Sequence, residues 1–241
     1  MKKVFAILMA AAVTVSMVVA EDSGAQAYPA KSSKSDFAVS LGVSGLFTAD
    51  FTNWDLTSTA AGLGMDRDMM DTMAFAGGGS IFLDATYVLL NVGFTAGRSH
   101  TMNEDIRYAA GYYPTDLMAL HFGILGKYPF ALGERFVLSP MLGLEYELVL
   151  SAKQDGSEMR YAISNGTQNA KAIDALSSLW FNIGVAADFF LTDSLFLRCE
   201  YLHGMRLNNK EEAYLLYKDS DLYKLALGHG LDLKAGLGIR F

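Results

Sequence analysis

The sequence is poor in cysteine and in basic residues. Its single cysteine, Cys199, cannot form an intramolecular disulfide, so we interpret it as a small apolar side chain. The 241 residues include 19 Lys and Arg against 26 Asp and Glu, which gives a formal net charge of −7. Proteins that bind nucleic acid rely on Lys and Arg to neutralise phosphates. The acidic balance therefore predicts that nucleic acid is not a partner.

Patterns typical of catalytic and metal sites are also missing. A hydrolase built on histidine needs a nucleophilic Ser and an orienting acid nearby. His203 and His229, near the predicted outer edge of the barrel, have no Ser two residues away on the same face, and His100 adjoins Ser99 only in a predicted loop. The sequence has no CxxC pair, no closely spaced His pair and no acidic calcium-binding loop. We therefore predict no catalytic residue, no metal ion and no cofactor.

Only one apolar run is long, Val4–Ala20, and it follows a positively charged start of the chain. It ends in acidic rather than basic residues, which favours a secretory signal peptide over an uncleaved membrane anchor. The small residues of Ala25-Gln26-Ala27 predict cleavage there, with Val18-Val19-Ala20 as a second choice. We assign residues 1–27 to a cleaved signal peptide and residues 28–34 to a short polar lead. No later apolar run approaches the roughly 20 residues of a membrane-spanning helix.

The most regular pattern is the strict alternation from Leu231 to Phe241. Apolar residues occupy every second position, and the positions between them are charged or glycine. A period of two over about ten residues predicts a strand with two unlike faces, which is long enough to cross a bilayer when tilted. Similar alternation predicts strands at Asp36–Phe47, Met73–Ala85, Tyr87–Gly97, Thr115–Tyr128, Arg135–Leu150, Ser178–Phe189, Leu195–Leu207 and Leu231–Phe241.

The predicted connections alternate between long loops and short turns. The long polar loops are Ala49–Thr72, Arg98–Pro114, Ser151–Leu176 and Asn208–Ala226. This plan resembles the small OmpA/OmpX-type outer-membrane barrel. The resemblance implies an all-β fold over residues 35–241, an eight-stranded antiparallel up-and-down transmembrane barrel. Ten strands would need a hairpin hidden in the first or third long loop.

Two local stretches carry the resemblance further. Gly126-Lys127-Tyr128-Pro129, leading through Gly133 to Ser139–Gly143, looks like the central hairpin of small barrels of this kind. The end of the sequence resembles the closing strand of bacterial outer-membrane barrels, whose terminal aromatic residue is recognised during assembly. The resemblance implies that Leu237, Ile239 and Phe241 form an assembly signal. It also implies an outer-membrane location, with membrane lipid and the barrel assembly machinery as partners.

Charged residues sort onto the face of each strand opposite the apolar one. A charged side chain facing lipid would cost roughly 2 to 4 kcal/mol at the midplane, so the apolar faces are predicted to contact lipid. A soluble sandwich would instead turn its apolar faces inward. His203 is the exception on the apolar faces, and it lies toward the outer end of its strand.

The charged faces are then predicted to fill the lumen. An eight-stranded barrel is just wide enough to be filled by its own side chains, and unpaired buried charges are costly. The register of the hairpins places Arg206 near Asp232, Glu200 near Lys234, and His121 near Glu145. The predicted single lumenal network comprises His121, Lys127, Glu145, Glu147, Arg198, Glu200, Arg206, Asp232 and Lys234. We interpret it as structural filling, with a gate that opens by exchange of partners as the alternative.

Aromatic residues cluster at the short-turn ends of the strands. They are Tyr87, Tyr128, Phe130, Phe136, Phe189, Phe190, Phe196 and Phe241. Such a distribution predicts an anchoring girdle at a membrane interface.

Function is predicted to lie in the long loops, which would face outside the cell. Candidate contact residues are Tyr108, Tyr112, Tyr113, Tyr214, Tyr217 and Tyr223. Exposed tyrosines among mixed charges form adaptable contact surfaces, which favours a role in envelope structure and in contact with a host or matrix ligand. The alternative is that these residues belong to hairpin extensions above the membrane and pack on one another. The alternative hypothesis is a narrow channel for small hydrophobic or amphiphilic solutes, because the chain also resembles OmpW-like small barrels.

Overall fold

The described part of the computed structural model is almost entirely β-strand. It covers residues 38–56, 58–62, 72–102, 116–162, 169–171, 173, 176–207 and 223–241, so the predicted signal peptide and polar lead lie outside it. The strands are β1 (Val39–Leu56), β2 (Thr72–Ala85), β3 (Val88–Met102), β4 (Asp116–Lys127), β5 (Phe130–Ala131), β6 (Phe136–Gln154), β7 (Ser157–Glu158), β8 (Arg160–Ala162), β9 (Asn169–Lys171), β10 (Ser178–Phe190), β11 (Leu195–Arg206) and β12 (Tyr223–Arg240). One short helix, α1, spans Ser58–Gly62, and within these residues no helix has the length and apolarity to cross a membrane.

The long strands close into a barrel. Strand β1 pairs with both β2 and β12, and β10 pairs with both β6 and β11, always antiparallel. The ring therefore contains eight strands in the described residues, β1 to β4, β6 and β10 to β12. The other strands are short additions: β5 and β7 pair with β6, and β8 pairs with β9. The predicted eight-stranded antiparallel up-and-down barrel is confirmed, and the described residues of the third long loop add no hairpin to the ring.

Short turns connect the strands at one end of the barrel. Thr86 forms the turn between β2 and β3 with a positive φ of 55°, and its hydroxyl bridges to β1 by accepting from the amide of Ala38 (2.8 Å) and donating to the carbonyl of Ala38 (3.0 Å). In the turn between β10 and β11, the hydroxyl of Thr192 accepts from the amide of Leu195 at 2.9 Å. We call this end the turn side and the opposite end the loop side.

The strands continue further toward the loop side than the sequence predicts. Strand β1 runs to Leu56 rather than Phe47, β3 to Met102 rather than Gly97, and β12 begins at Tyr223 rather than Leu231. The prediction ended each strand where its apolar face ended. Backbone pairing does not need that contrast, because ladder hydrogen bonds form equally between polar residues.

Apolar and charged side chains separate onto the two faces as predicted. Leu233, Leu144 and Phe122 point outward, with 44%, 41% and 43% of their surface exposed. The charged side chains buried inside the barrel include Asp84, Lys127, Glu145, Glu147, Asp188, Arg198, Glu200 and Lys234. The barrel therefore has an apolar exterior and a charged interior, the reverse of a soluble protein.

The predicted aromatic girdle is only partly correct. Tyr87, Tyr128 and Phe189 point outward, but Phe190 and Phe196 are inside the barrel with 6% and 1% exposed. Consecutive strand residues point to opposite faces, so Phe189 and Phe190 cannot both face lipid. The inward pair contributes to the lumen instead.

Candidate functional site: the charged lumen

The charges near the short turns form one compact cluster, which we call the turn-side network. The guanidinium of Arg198 donates to both carboxylate oxygens of Asp188, from Nε at 2.6 Å and from Nη2 at 2.7 Å. It also donates to Asp84 on the far wall, which accepts from Lys127 Nζ at 2.5 Å. Bidentate contact of this kind is the strongest form of Arg–carboxylate pairing. Glu200 lies at the edge of the cluster, 3.9 Å from Arg198 Nε.

Apolar side chains pack around this network at the turn side of the lumen. We call them the apolar plug: Phe82, Leu89, Leu125, Val137, Met141, Ala186, Phe190, Phe196 and Leu202. The rings of Phe82 and Phe196 flank the guanidinium carbon of Arg198 at 4.5 and 5.2 Å. Polar side chains were predicted to fill the lumen, and the apolar plug corrects this prediction.

A second cluster, the loop-side network, occupies the middle and outer lumen. Arg98 pairs with Glu147 and with Asp50, the latter at 3.0 Å, and Glu147 also accepts from Trp180 Nε1 at 3.1 Å. Arg206 lies beside this group, with its guanidinium carbon 4.9 Å from the centre of the Trp180 ring.

A row of hydrogen bonds crosses the same network. His121 Nδ1 lies 3.0 Å from Glu145 Oε1, and His121 Nε2 lies 2.8 Å from Thr95 Oγ1. The other Glu145 oxygen faces Lys234 Nζ at 3.8 Å. The order hydroxyl, imidazole, carboxylate matches that of a hydrolase triad. Thr95 is fully buried, however, and the space beside it is too small for an ester or a peptide, so we interpret the row as structural.

The space beside these groups is a small cavity in the loop-side network. Its lining includes Thr48, Asp50, Arg98, His121, Glu145, Glu147, Trp180, Asn182, Gly204, Gly230 and Asp232, and its volume is about 20 Å³. A buried water needs roughly 10 to 15 Å³, so the cavity has room for one. Thr48 Oγ1, Arg98 Nε and Glu145 Oε2 have no protein hydrogen-bond partner, and a water there can satisfy them.

Part of the third predicted loop packs on the inner faces of two strands at the loop side. Met159 is buried against Leu117, Ala119, Val149 and Ala152 on the inner faces of β4 and β6, and Ile173 and Leu176 pack on the same group. Ser177 fixes the segment, because its hydroxyl accepts from the amide of Val149 at 3.1 Å and donates to the carbonyl of Ile173 at 2.9 Å. We call this group the loop-side cap.

The structure places the predicted lumenal residues inside the barrel but divides them. The predicted single network is two networks, linked through Glu200 and Lys234, which lie opposite each other on β11 and β12. His121 and Glu145 pair as predicted. The prediction for Arg206 is wrong in register, since Asp232 lies opposite Leu202. The alternative of a gate stays untested.

Sequence reasoning missed Asp50 and Arg98, which it assigned to loops. Asp50 continues the inward alternation of β1 and required only a longer strand. Arg98 lies on the inward face because β3 carries a bulge at Gly97, where φ is +73° and the register with β2 shifts by one residue. A bulge reverses which residues face inward, so strict alternation would have pointed Arg98 outward.

The remaining predicted sites lie on the outside of the barrel or outside the described residues. Leu237, Ile239 and Phe241 are exposed on the outer face of the closing strand, and the amide of Phe241 donates to the carbonyl of Val39 at 2.8 Å. Tyr223 begins β12, whereas Tyr108, Tyr112, Tyr113, Tyr214 and Tyr217 lie outside the described residues. In the described part of the chain, no cluster of three or more His, Cys, Asp or Glu side chains is arranged to share a metal ion.

Comparison with known proteins gives structural likenesses only. No protein-family model and no curated protein sequence matches the chain. Neisserial surface protein A is similar at 11% identity and a TM-score of 0.43, over 83% of this chain and 97% of that one. The attachment invasion locus protein Ail of Yersinia pestis has 12% identity and a TM-score of 0.39, over 85% and 97% of the two chains. The outer membrane protease OmpT from Escherichia coli has 10% identity and a TM-score of 0.37, over 87% and 99%. At these values the likenesses assign no residue a role, and the fold is established by the strand pairing, which is that of a closed eight-stranded antiparallel β-barrel.

Proposed function

We propose that this chain is an integral outer-membrane protein whose barrel is a sealed scaffold, and that it presents its long connections for contact at the cell surface. The observation that carries the proposal is the filled lumen inside an apolar exterior. In this proposal residues 1–27 direct export and are removed. The barrel assembly machinery then recognises Leu237, Ile239 and Phe241. Membrane lipid covers the outward apolar side chains.

Two features of the lumen support a sealed barrel. On the turn side, the apolar plug surrounds a guanidinium that is held from opposite walls by Asp84 and Asp188. On the loop side, Met159, Ile173 and Leu176 cover the inner faces of β4 and β6. A conduit for hydrophobic or amphiphilic solutes would have to pass both the plug and the two charged networks. The same filling therefore argues against the narrow-channel alternative.

Single-channel recording in planar bilayers tests the sealed barrel. The wild-type protein should give no conductance steps, and a Phe190→Ala/Phe196→Ala variant, which removes two rings of the plug but leaves both charged networks, should give at most small and rare current steps. The matched control is Phe136→Ala/Phe189→Ala, which removes two outward rings from the same end. Discrete steps from the wild-type protein would overturn the proposal and favour the channel.

Loop replacement tests the surface role. Residues 103–115 and 208–222 would be replaced separately by short Gly-Ser connections, which removes Tyr108, Tyr112 and Tyr113 or Tyr214 and Tyr217. Cells that display the wild-type chain should adhere to host cells or matrix, and at least one replacement should abolish adhesion. If both replaced chains reach the surface and adhere as well as the wild type, neither of these two connections is by itself the contact site, and the tyrosine-based proposal is wrong.

A further inference from the structure

Two histidines lie side by side on the outward face, where the other side chains at that depth are mainly apolar. His203 is on β11 and His229 is on β12, with ring centroids 5.6 Å apart and planes inclined by 41°. The register pairs His203 with Leu231 and Met205 with His229, so the two histidines are diagonal neighbours. His203 and Met205 share a face because they are two residues apart on one strand.

Apolar groups surround the pair on both sides. The ring of Phe51 on β1 stacks on His229 with centroids 5.1 Å apart, and Phe181 on β10 lies opposite Met205. These contacts restrict the imidazole of His229 and reduce its access to water. A neutral imidazole presents one unprotonated ring nitrogen, and this is the form that binds metal ions.

We propose that His203, Met205 and His229 form a copper-binding site on the outside of the barrel. Imidazole suits copper, zinc and nickel, whereas a thioether selects Cu(I), so two imidazoles with one thioether favour copper. Rings that share a metal through bonds of roughly 2.0 to 2.1 Å have centroids on the order of 5 to 6 Å apart. The observed 5.6 Å fits this requirement without movement of the strands.

Met205 is placed to complete the site. Directly opposed residues of an antiparallel pair have Cβ atoms roughly 4.5 to 5.5 Å apart, and Met205 lies directly opposite His229. The flexible methionine side chain can bring its sulfur toward the ring nitrogens. Sequence spacing gave no sign of the site, because its histidines are on different strands. The site needs neither the lumen nor the loops, so it goes beyond the proposed function.

Competition with a chromophoric Cu(I) chelator tests the site. The folded full chain in detergent micelles, kept reduced with ascorbate, should bind one Cu(I) per chain. His203→Ala and His229→Ala should each weaken binding by on the order of 100-fold, since even groups that only orient a metal ligand change affinity roughly 10- to 100-fold. Met205→Leu should weaken Cu(I) binding about tenfold, because the thioether is the ligand that favours Cu(I) while both imidazoles remain.

Matched controls separate this site from adventitious binding. Met118→Leu removes an outward thioether from β4, and His100→Ala removes a histidine from β3. Both variants should bind Cu(I) like the wild type. Thermal unfolding followed by circular dichroism verifies that each variant is folded. The proposal is overturned if the wild type binds no Cu(I) at micromolar concentration, or if a folded His203→Ala/His229→Ala variant binds it as tightly as the wild type. Conductance and adhesion are separate readouts, so this result does not depend on theirs.

Discussion

The two halves of the lumen each bury an arginine with two carboxylates, but the side chains around the two clusters differ. On the turn side, Arg198 holds Asp84 and Asp188 inside a shell of aromatic and aliphatic side chains. On the loop side, Arg98 also holds two carboxylates, Asp50 and Glu147, but the cluster borders a cavity of about 20 Å³. One buried guanidinium therefore lies in an apolar setting and the other beside space for water.

This difference should determine how each half responds to the loss of a charge. A buried ion pair whose partner is removed leaves an uncompensated charge, and the cost depends on whether water can reach it. Asp84 and Asp188 are only 2% and 4% exposed among the side chains of the plug, whereas Asp50 lines the cavity. The turn-side network should accordingly be the more fragile of the two.

Arg198→Ala should be the most damaging single change in the lumen. It leaves Asp188 unpaired, and Asp84 keeps only Lys127, so we expect a loss of about 3 to 5 kcal/mol in the free energy of unfolding. The change in the free energy of unfolding is measured by denaturant-induced unfolding from lipid vesicles, extrapolated to zero denaturant. Arg160→Ala is the control, since its pair with Glu158 is exposed and should contribute less than about 1 kcal/mol. A loss for Arg198→Ala as small as that of the control would show that the turn-side network is not buried as described.

The adjacent rings Phe190 and Phe189 test the plug itself. Phe190→Ala empties part of the plug and should lower the free energy of unfolding by about 3 kcal/mol, because a buried aromatic ring is replaced by a cavity. Phe189→Ala removes a ring from the outer face, where lipid fills the space that it leaves and no cavity forms, so its loss should be smaller. The same vesicle unfolding measurement compares them, and equal losses would contradict the assigned faces.

Arg98→Ala should be milder than Arg198→Ala. Glu147 keeps its hydrogen bond from Trp180, and water in the cavity can solvate Asp50, so we expect a loss of about 1 to 3 kcal/mol. Measuring both variants under the same conditions gives the comparison directly. If Arg98→Ala is as damaging as Arg198→Ala, the cavity does not relieve the loop-side charges.

The barrel could be predicted from the sequence because its main signal is local. Alternation between Leu231 and Phe241, and in the other strands, reports directly on which residues share a face. Where a strand continues with polar residues on both faces, the sequence shows no alternation between apolar and polar positions. This is why β1 and β12 are longer than predicted. The same limit explains Asp50, which lies just beyond the last outward apolar residue of the predicted first strand.

The lumen was harder to predict because its contents depend on contacts across the barrel. Arg198 meets Asp84 from the opposite wall, 114 residues away in the chain, and no hairpin register brings these two together. The bulge at Gly97 reverses the face of Arg98, and only the backbone conformation reveals it. Phe190 and Phe196 could have been assigned inward from the sequence, because each neighbours a residue already assigned outward.

Two glycines give the finest test of the difference between the halves. A Cβ on Gly238 would lie 2.2 Å from Phe196 Cζ in the plug, so Gly238→Ala must displace a packed ring and should cost about 1 to 3 kcal/mol. A Cβ on Gly230 would lie 3.0 Å from Asp50 Oδ1 and 3.4 Å from Trp180 Cζ3, at the wall of the cavity. Since the cavity gives these side chains room to shift, Gly230→Ala should change the free energy of unfolding by less than about 1 kcal/mol. Vesicle unfolding of both variants measures the contrast, and a larger loss for Gly230→Ala than for Gly238→Ala would mean that the loop-side half is the more tightly packed one.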